Sequence, residues 1–176
     1  LLSKLLERCD VASISGETDI QIDQIKINSK DVNEGDCFIC LVGSRSDGHN
    51  FANEAIARGA RAVICCNDYA NSLATVIKVD DTRKAYSVIA SNYYGNPSEK
   101  LKIITVVGTN GKSTTAYIVK ELLERNGISC GLIGTMYYEY NGVRLSSNLT
   151  TPDPIALQEL FAKMLGSINS PASGIV

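Results

Sequence analysis

A single histidine, His49, serves the whole 176-residue chain. One imidazole cannot anchor a histidine-based metal cluster, and it lacks the partners at known spacing that a Ser-His-Asp set needs. No apolar run approaches the roughly 18 residues of a membrane span. The opening Leu1-Leu2-Ser3-Lys4-Leu5-Leu6-Glu7-Arg8 has the pattern of a short amphipathic helix, without the apolar stretch and cleavage site of a secretory signal. No block of like charge stands out either. Seventeen Lys and Arg oppose nineteen Asp and Glu for a net charge of −2, which argues against a nucleic-acid-binding surface. With 44% hydrophobic and 20% charged residues, the chain is neither a disordered tail nor a low-complexity array. Its length suits one to two domains, with a real core in at least one. These absences predict a soluble, cytoplasmic protein with neither a nucleic-acid nor a membrane partner.

Cysteines are present but carry no metal pattern. The six are Cys9, Cys37, Cys40, Cys65, Cys66 and Cys130. Cys37-Phe38-Ile39-Cys40 spells C-x-x-C, yet the adjacent pair Cys65-Cys66 is not the second half of a zinc site. Cys37 and Cys40 also lie in an apolar run that reads as a strand, where residues three apart face opposite ways. The expectation is reduced core cysteines, as suits a chain too large and apolar to need disulfide staples.

Turn-formers at Gly95-Asn96-Pro97-Ser98 divide the chain into residues 1–95 and 96–176. In the first segment, Ile20, Ile22, Ile25 and Ile27 alternate like a strand whose parity slips at Gln24. Strands are predicted at Asp36–Val42, Arg61–Cys66 and Ala74–Val79, and helices at Phe51–Gly59 and Thr82–Tyr94. This is a small α/β domain complete enough to fold alone. In the second segment, Lys102–Val107 and Ile128–Ile133 read as buried strands joined through a helix at Ser113–Asn126. That βαβ unit implies a parallel sheet covered by helices. Met136–Leu145 reads as a hairpin around Asn141-Gly142. Asp153-Pro154 opens a last helix, with Asp as N-cap and Pro at the first helical position. A parallel nucleotide-binding sheet usually has about five strands or more, and only two read clearly here. The second segment therefore reads as the first part of a larger domain.

The strongest chemistry lies between strand and helix, in Gly108-Thr109-Asn110-Gly111-Lys112-Ser113-Thr114. Backbone N–H groups of Asn110 to Ser113 can converge on phosphate oxygens at the positive end of the helix. Gly111 permits close approach, Lys112 can reach the β- and γ-phosphates, and the Ser113 hydroxyl can ligate Mg²⁺. The common phosphate-loop pattern places a glycine at position 106, where this chain has Val106, with the glycine displaced to 108.

That displaced glycine and the residues around it resemble the ATP-binding signature of the Mur ligases, cell-wall enzymes that add amino acids to a UDP-linked muramic acid. Two further blocks agree. Asn28-Ser29-Lys30, Gly35-Asp36-Cys37-Phe38 and Asp47-Gly48-His49 resemble motifs of the family's N-terminal domain. Leu132-Ile133-Gly134-Thr135 and Thr150-Thr151-Pro152-Asp153 resemble the member that adds the third amino acid of the peptidoglycan precursor.

The resemblance implies an N-terminal UDP-substrate domain over 1–95, followed over 96–176 by the beginning of a P-loop parallel-sheet ATPase domain. It implies ATP binding at Gly108, Thr109, Asn110, Gly111, Lys112, Ser113 and Thr114, with Lys112 catalytic and Ser113 on Mg²⁺. It implies contacts to a UDP-N-acetylmuramoyl-dipeptide from Ser29, Lys30, Ser44, Arg45, Ser46, Thr150 and Thr151, and an amino acid as second substrate. Lys30 replaces the family's arginine, keeping the charge without the planar fork. The expected reaction is amide-bond formation through an acyl phosphate. No acidic metal ligand follows Ser113 in a plausible place, so the chain is expected to be a portion inactive alone. The alternatives are another Mur-type peptide ligase and a stand-alone nucleotide or UDP-sugar-binding module.

Overall fold

The computed structural model describes residues 1–43, 46–140, 142–147, 151–167 and 174–175, the last two and residue 167 by backbone alone. The chain divides into two compact units, Leu1–Tyr93 and Tyr94–Val176. Among the described residues, no helix is long and apolar enough to cross a membrane.

The first unit is built on a five-stranded sheet ordered β1-β5-β4-β3-β2. Its strands are β1 (Val11–Ser15), β2 (Ile25–Lys26), β3 (Cys37–Ile39), β4 (Ala62–Cys65) and β5 (Thr75–Val79). β2 to β5 run parallel, and β1 closes one edge antiparallel to β5. β3 and β4 are buried at every residue, as strands covered on both faces must be. One face packs Phe38, Cys40, Val63, Cys65 and Val76 against Ala52 and Ala55 of helix α2 (Ala52–Ala57). Helix α1 (Leu2–Leu5) lies against helix α3 (Thr82–Tyr93), whose first turn is capped by Asp81 accepting from the Arg83 and Lys84 amides at 2.8 and 3.1 Å. No disulfide joins the six cysteines, and Cys37, Cys40, Cys65 and Cys130 are buried.

Two features depart from the sequence expectation. Strand β1 has no apolar alternation to announce it: four of its five residues are exposed, and its pairing to β5 is interrupted by a bulge. The isoleucine run also pairs only at Ile25–Lys26. Before that it is pinned from outside, Ile20 O accepting from Leu2 N–H at 2.8 Å and Asp23 N–H donating to Gly35 O at 3.0 Å. The slip at Gln24 has a cause: the carboxylate of Asp36, only 2% exposed, accepts the amides of Gln24 and Asn33 at 3.1 and 2.9 Å. A buried carboxylate that takes two amides fixes the bend and satisfies itself.

In the second unit the strands are β6 (Lys102–Ile103), β7 (Cys130–Ile133), β8 (Tyr137–Tyr140), β9 (Val143–Ser146) and β10 (Gly174–Ile175), ordered β6-β10-β7-β8-β9. β10 runs parallel between β6 and β7, and the hairpin β8–β9 continues antiparallel, Tyr140 pairing with Val143 next to Gly142 at φ +73°. β7 is covered on both faces. Leu132 meets Ala116 and, beside it, Val119 and Leu123 of helix α4 (Lys112–Arg125). Helix α5 (Pro154–Ser167) buries Met164, whose sulfur would lie 2.6 Å from any Cβ placed on Gly131. Asp153 caps α5 by accepting the Ile155 and Ala156 amides at 3.0 and 3.2 Å.

The expected buried strand at Lys102–Val107 is corrected here. Only Lys102–Ile103 is extended and paired, both are exposed, and Ile104 and Val107 are 41% and 88% exposed. Among the described residues β6 is an edge strand with a partner on one side, and its chain leaves the sheet early to form the loop. β10 was hidden because two residues show no periodicity.

At Gly59 both the backbone angle and the surrounding backbone demand glycine. Gly59 ends α2 at φ +106°, and a Cβ there would lie 2.7 Å from Glu34 Cα, next to the Gly35 N–H to Gly59 O bond of 3.0 Å. Gly59→Ala is expected to lower stability by about 2 kcal/mol through strain plus the backbone clash, read as a lower urea midpoint. Gly95→Ala, with no atom within 4 Å, carries only the positive-φ cost and should lose less.

Candidate functional site: a phosphate loop at the start of a helix

Residues Gly108 to Gly111 connect edge strand β6 to α4. Gly111 stands at the N-cap of α4 with φ +77°, and no side chain caps the helix. The first-turn amides are therefore directed outward at the positive end of a 14-residue helix. A Cβ at Gly111 would meet nothing within 4 Å, so glycine is favoured there by its backbone angle alone. Lys112 turns back over the loop. Its Nζ donates to Gly108 O at 2.8 Å and to Thr109 O at 3.4 Å, which holds the ammonium beside the free amides. This arrangement can neutralise a polyanion without further rearrangement of the helix.

The loop opens into a cleft of about 330 Å³ on one side and about 570 Å³ on the other. Gly108, Lys112 and Ser113 line the larger one, and Thr151 and Pro152, just before α5, line it too. Thr114 and Ser113 border the smaller, between α4 and Met136-Tyr137. Thr109 and Asn110 are exposed on the loop itself. Thr150 lies outside the described residues.

Below the loop, α4 is fastened to the hairpin by a buried charge that the sequence pattern does not reveal. Lys120, 6% exposed, donates to Glu124 at 2.8 Å and pairs with Glu139 of β8 at 3.1 Å. Glu139 also accepts from Arg144 of β9 at 2.7 Å, and that guanidinium stacks 4.1 Å over the Tyr137 ring. Burial pulls the Lys120 ammonium down, but its bonds to Glu124 and Glu139 outweigh it and hold it above its ordinary value. Arg144 and then Lys120 hold Glu139 below the usual carboxylate value of 4.5, against burial. Glu139 is thus committed to cations. Among the described residues no cluster of three His, Cys, Asp or Glu side chains could hold a metal.

The first unit collects its candidate residues at the carboxyl ends of its parallel strands. Ser29, after β2, is buried, and its hydroxyl donates to Glu54 of α2 at 3.0 Å. Asn28 caps the short turn Ser29–Asp31 by accepting the Lys30 amide at 3.2 Å, and the Lys30 side chain is exposed. Lys30 O accepts from Arg58 at 3.3 Å. Ser46, after β3, is exposed and accepts the Gly43 amide at 2.9 Å. Ser44 and Arg45 lie outside the described residues. Glu54 went unnoticed in the sequence, where nothing connects it to a serine in a different element.

Two family models match the chain: the Mur ligase family catalytic domain over residues 21–94, and the Mur ligase middle domain over 106–170. The chain belongs to the Mur ligase family. The diaminopimelate ligase of Clostridium perfringens, named for UDP-N-acetylmuramoyl-L-alanyl-D-glutamate and 2,6-diaminopimelate, is 40% identical over 94% of this chain and 34% of its own length. The corresponding ligase of Listeria monocytogenes is 38% identical over 93% and 33%. This Mur ligase chain thus spans about a third of the curated relatives it matches. Among solved structures, a diaminopimelate ligase of the same name covers 91% of the chain and 33% of its own, with TM-score 0.67 at 24% identity. The MurF ligase from Thermotoga maritima in complex with ADP covers 81% and 30%, with TM-score 0.54 at 28% identity.

The Lys120–Glu139 pair makes a pH-dependent prediction. Because the folded Glu139 carboxyl is lowered, its stabilisation is complete above its ordinary value of 4.5 and is lost as pH falls through the folded value. Glu139→Gln is expected to cost about 2 kcal/mol near neutral pH, as hydrogen bonds to charged groups do. The loss should shrink in acid. Urea unfolding at about pH 7 and about pH 3.5 checks both.

Proposed function

We propose that this chain is the UDP-substrate-binding and phosphate-binding portion of an ATP-dependent ligase that adds an amino acid to UDP-N-acetylmuramoyl-L-alanyl-D-glutamate. The amino acid in the names of the matched relatives is 2,6-diaminopimelate. The observation that carries the reading is one cleft lined by both the phosphate loop (Gly108, Lys112, Ser113) and the Thr151-Pro152 segment. A nucleotide held by the first and a substrate carboxylate held by the second would meet in that space.

The chemistry follows from what these groups can do. The substrate carboxylate attacks the γ-phosphorus, forming an acyl phosphate as ADP leaves. The amine of the incoming amino acid then attacks the acyl carbon, and the tetrahedral intermediate collapses with loss of phosphate. The amides at the start of α4 bind phosphate oxygens, and Lys112 offsets the charge that builds on them. The Ser113 hydroxyl is a hard oxygen donor that fits Mg²⁺ together with phosphate oxygens and water, and the metal would supply further charge neutralisation. Thr151 would hold the muramoyl-peptide end, with Thr150 beside it in sequence. Ser29, Lys30 and the loop Ser44-Arg45-Ser46 would hold the UDP end. Since the Ser29 proton is committed to Glu54, the hydroxyl meets a ligand as an acceptor.

Isothermal titration of the chain separates the two halves of this reading. ATP with Mg²⁺ is expected to bind, and Lys112→Ala to weaken it by about tenfold or more, the equivalent of one charge-assisted hydrogen bond. The UDP-muramoyl-dipeptide is expected to bind with a signal reduced by Ser29→Ala but not by Lys112→Ala. No heat with either ligand would overturn the proposal, and UDP binding without any ATP binding would favour a UDP-sugar-binding module.

A further inference from the structure

Beyond the phosphate loop, one cluster of reactive side chains has no part in the function above. Cys66 follows β4 at the carboxyl edge of the first sheet and is half-buried. Its Sγ lies 3.4 Å from Nε2 of His49, and its own amide donates to the same nitrogen at 3.0 Å. Nε2 is therefore the acceptor nitrogen, and the ring proton sits on Nδ1, 2.5 Å from Asp47 Oδ1. Thiol, imidazole and carboxylate stand in a row. The ring is almost enclosed, its side chain 11% exposed, so its orientation is fixed.

The other thiols lack this setting. Cys37, Cys40, Cys65 and Cys130 are buried. Cys9 is half-buried like Cys66, but burial and the neighbouring Asp10 push its thiol up to about 11, and its sulfur donates to Leu5 O at 3.9 Å. Cys66 alone among the described cysteines combines access with a base.

The same row adjoins a backbone crossing. Val42 and Asp47 form an antiparallel bridge. Gly43 N–H donates to Ser46 O and Gly48 N–H to Leu41 O, each at 2.9 Å. A Cβ at Gly48 would lie 2.7 Å from Leu41 N, so the crossing has no slack. Asp47 also accepts the His49 amide at 2.9 Å. A group attached to Cys66 would sit beside the His49 ring, 3.4 Å from the sulfur, and that ring is held by Asp47.

We propose that Cys66 is a modification site for small electrophiles and low-molecular-weight disulfides, with His49, oriented by Asp47, as its base, and that the adduct loosens the bridge between Val42 and Asp47. With a haloacetamide, the S–C bond forms as the carbon–halogen bond breaks. The Cys66 amide releases His49 Nε2, the thiol proton passes to that nitrogen and on to water, and halide leaves. With a disulfide, the Cys66 sulfur is oxidised into a mixed disulfide while the departing sulfur is reduced and leaves as a thiolate that takes up the proton. The thiol chemistry stands independently of the proposed ligase function.

The test is cysteine mapping by peptide mass spectrometry after substoichiometric iodoacetamide on the 176-residue chain. Cys66 is expected to label about tenfold faster than Cys9, with the buried four lagging both, as reactivity follows thiolate access. His49→Gln should slow Cys66 by about fivefold or more while leaving Cys9 unchanged, the scale of a lost general base in a simple thiol. Asp47→Asn, which keeps the ring in place, should slow it less. Oxidised glutathione should give a mixed disulfide at Cys66 and speed amide exchange at Gly43 and Gly48, but not in a Cys66→Ser chain treated alike. Cys9 labelling as fast as Cys66, or a Cys66 rate unchanged by His49→Gln, would overturn the site. Unchanged exchange in the adduct would overturn its link to the bridge.

Discussion

A parallel strand cannot be joined to its neighbour by a tight turn; the chain must leave at the strand's carboxyl end and return by a long crossover. Almost everything of chemical interest in this Mur ligase chain follows from that constraint. In the first unit β2, β3, β4 and β5 all run the same way, so Ser29, the bridge between Val42 and Asp47, Cys66 and Asp81 all emerge at one edge. In the second, the chain leaves β6 into the phosphate loop, and α4 and α5 each begin at the carboxyl edge because each must carry the chain back. That is why Lys112 and Thr151, far apart in sequence, line a common cleft.

The two edges are stiffened differently. At the first, short polar contacts hold irregular backbone: Asp36 takes two amides at the Gln24 bend, Asn28 caps the turn that presents Ser29, and Arg83 donates to Val42 O at 2.6 Å. At the second, the loop itself is lightly held and the stiffness lies below it, in the Lys120, Glu139 and Arg144 charges between α4 and the hairpin. A buried lysine with two carboxylate partners resists any sliding of α4 along the sheet, since movement would strand a charge away from water.

How much of this could be read from the residues depends on range. β4, β5, α3 and α4 were legible because each is long enough to show a period, and Asp153 was legible as a cap because its role is local. The phosphate loop was legible because glycine, lysine and serine follow a strand and open a helix. β1 was not, since its side chains are small and mostly outward, and β6 was overextended because an apolar run does not say where pairing stops. The partners that orient the site residues were also out of reach. Glu54 beneath Ser29 and Glu139 beside Lys120 are ordinary surface-type residues until the fold brings them together. The two-residue strand β10 lay beyond any pattern.

That last strand has a consequence for assembly. β6 and β7 flank the phosphate loop and its helix, yet they never touch; β10 separates them. Among the described residues strand β6 pairs with β10 alone, so the platform beneath the loop closes only when Gly174 and Ile175 arrive between Lys102 and Cys130. During synthesis the loop sequence is made early but stays without support until the chain has grown through α5 and beyond. Closing that span is a high-contact-order step. It makes the insertion of β10, rather than the formation of α4, the event that joins β6 to β7 in one sheet.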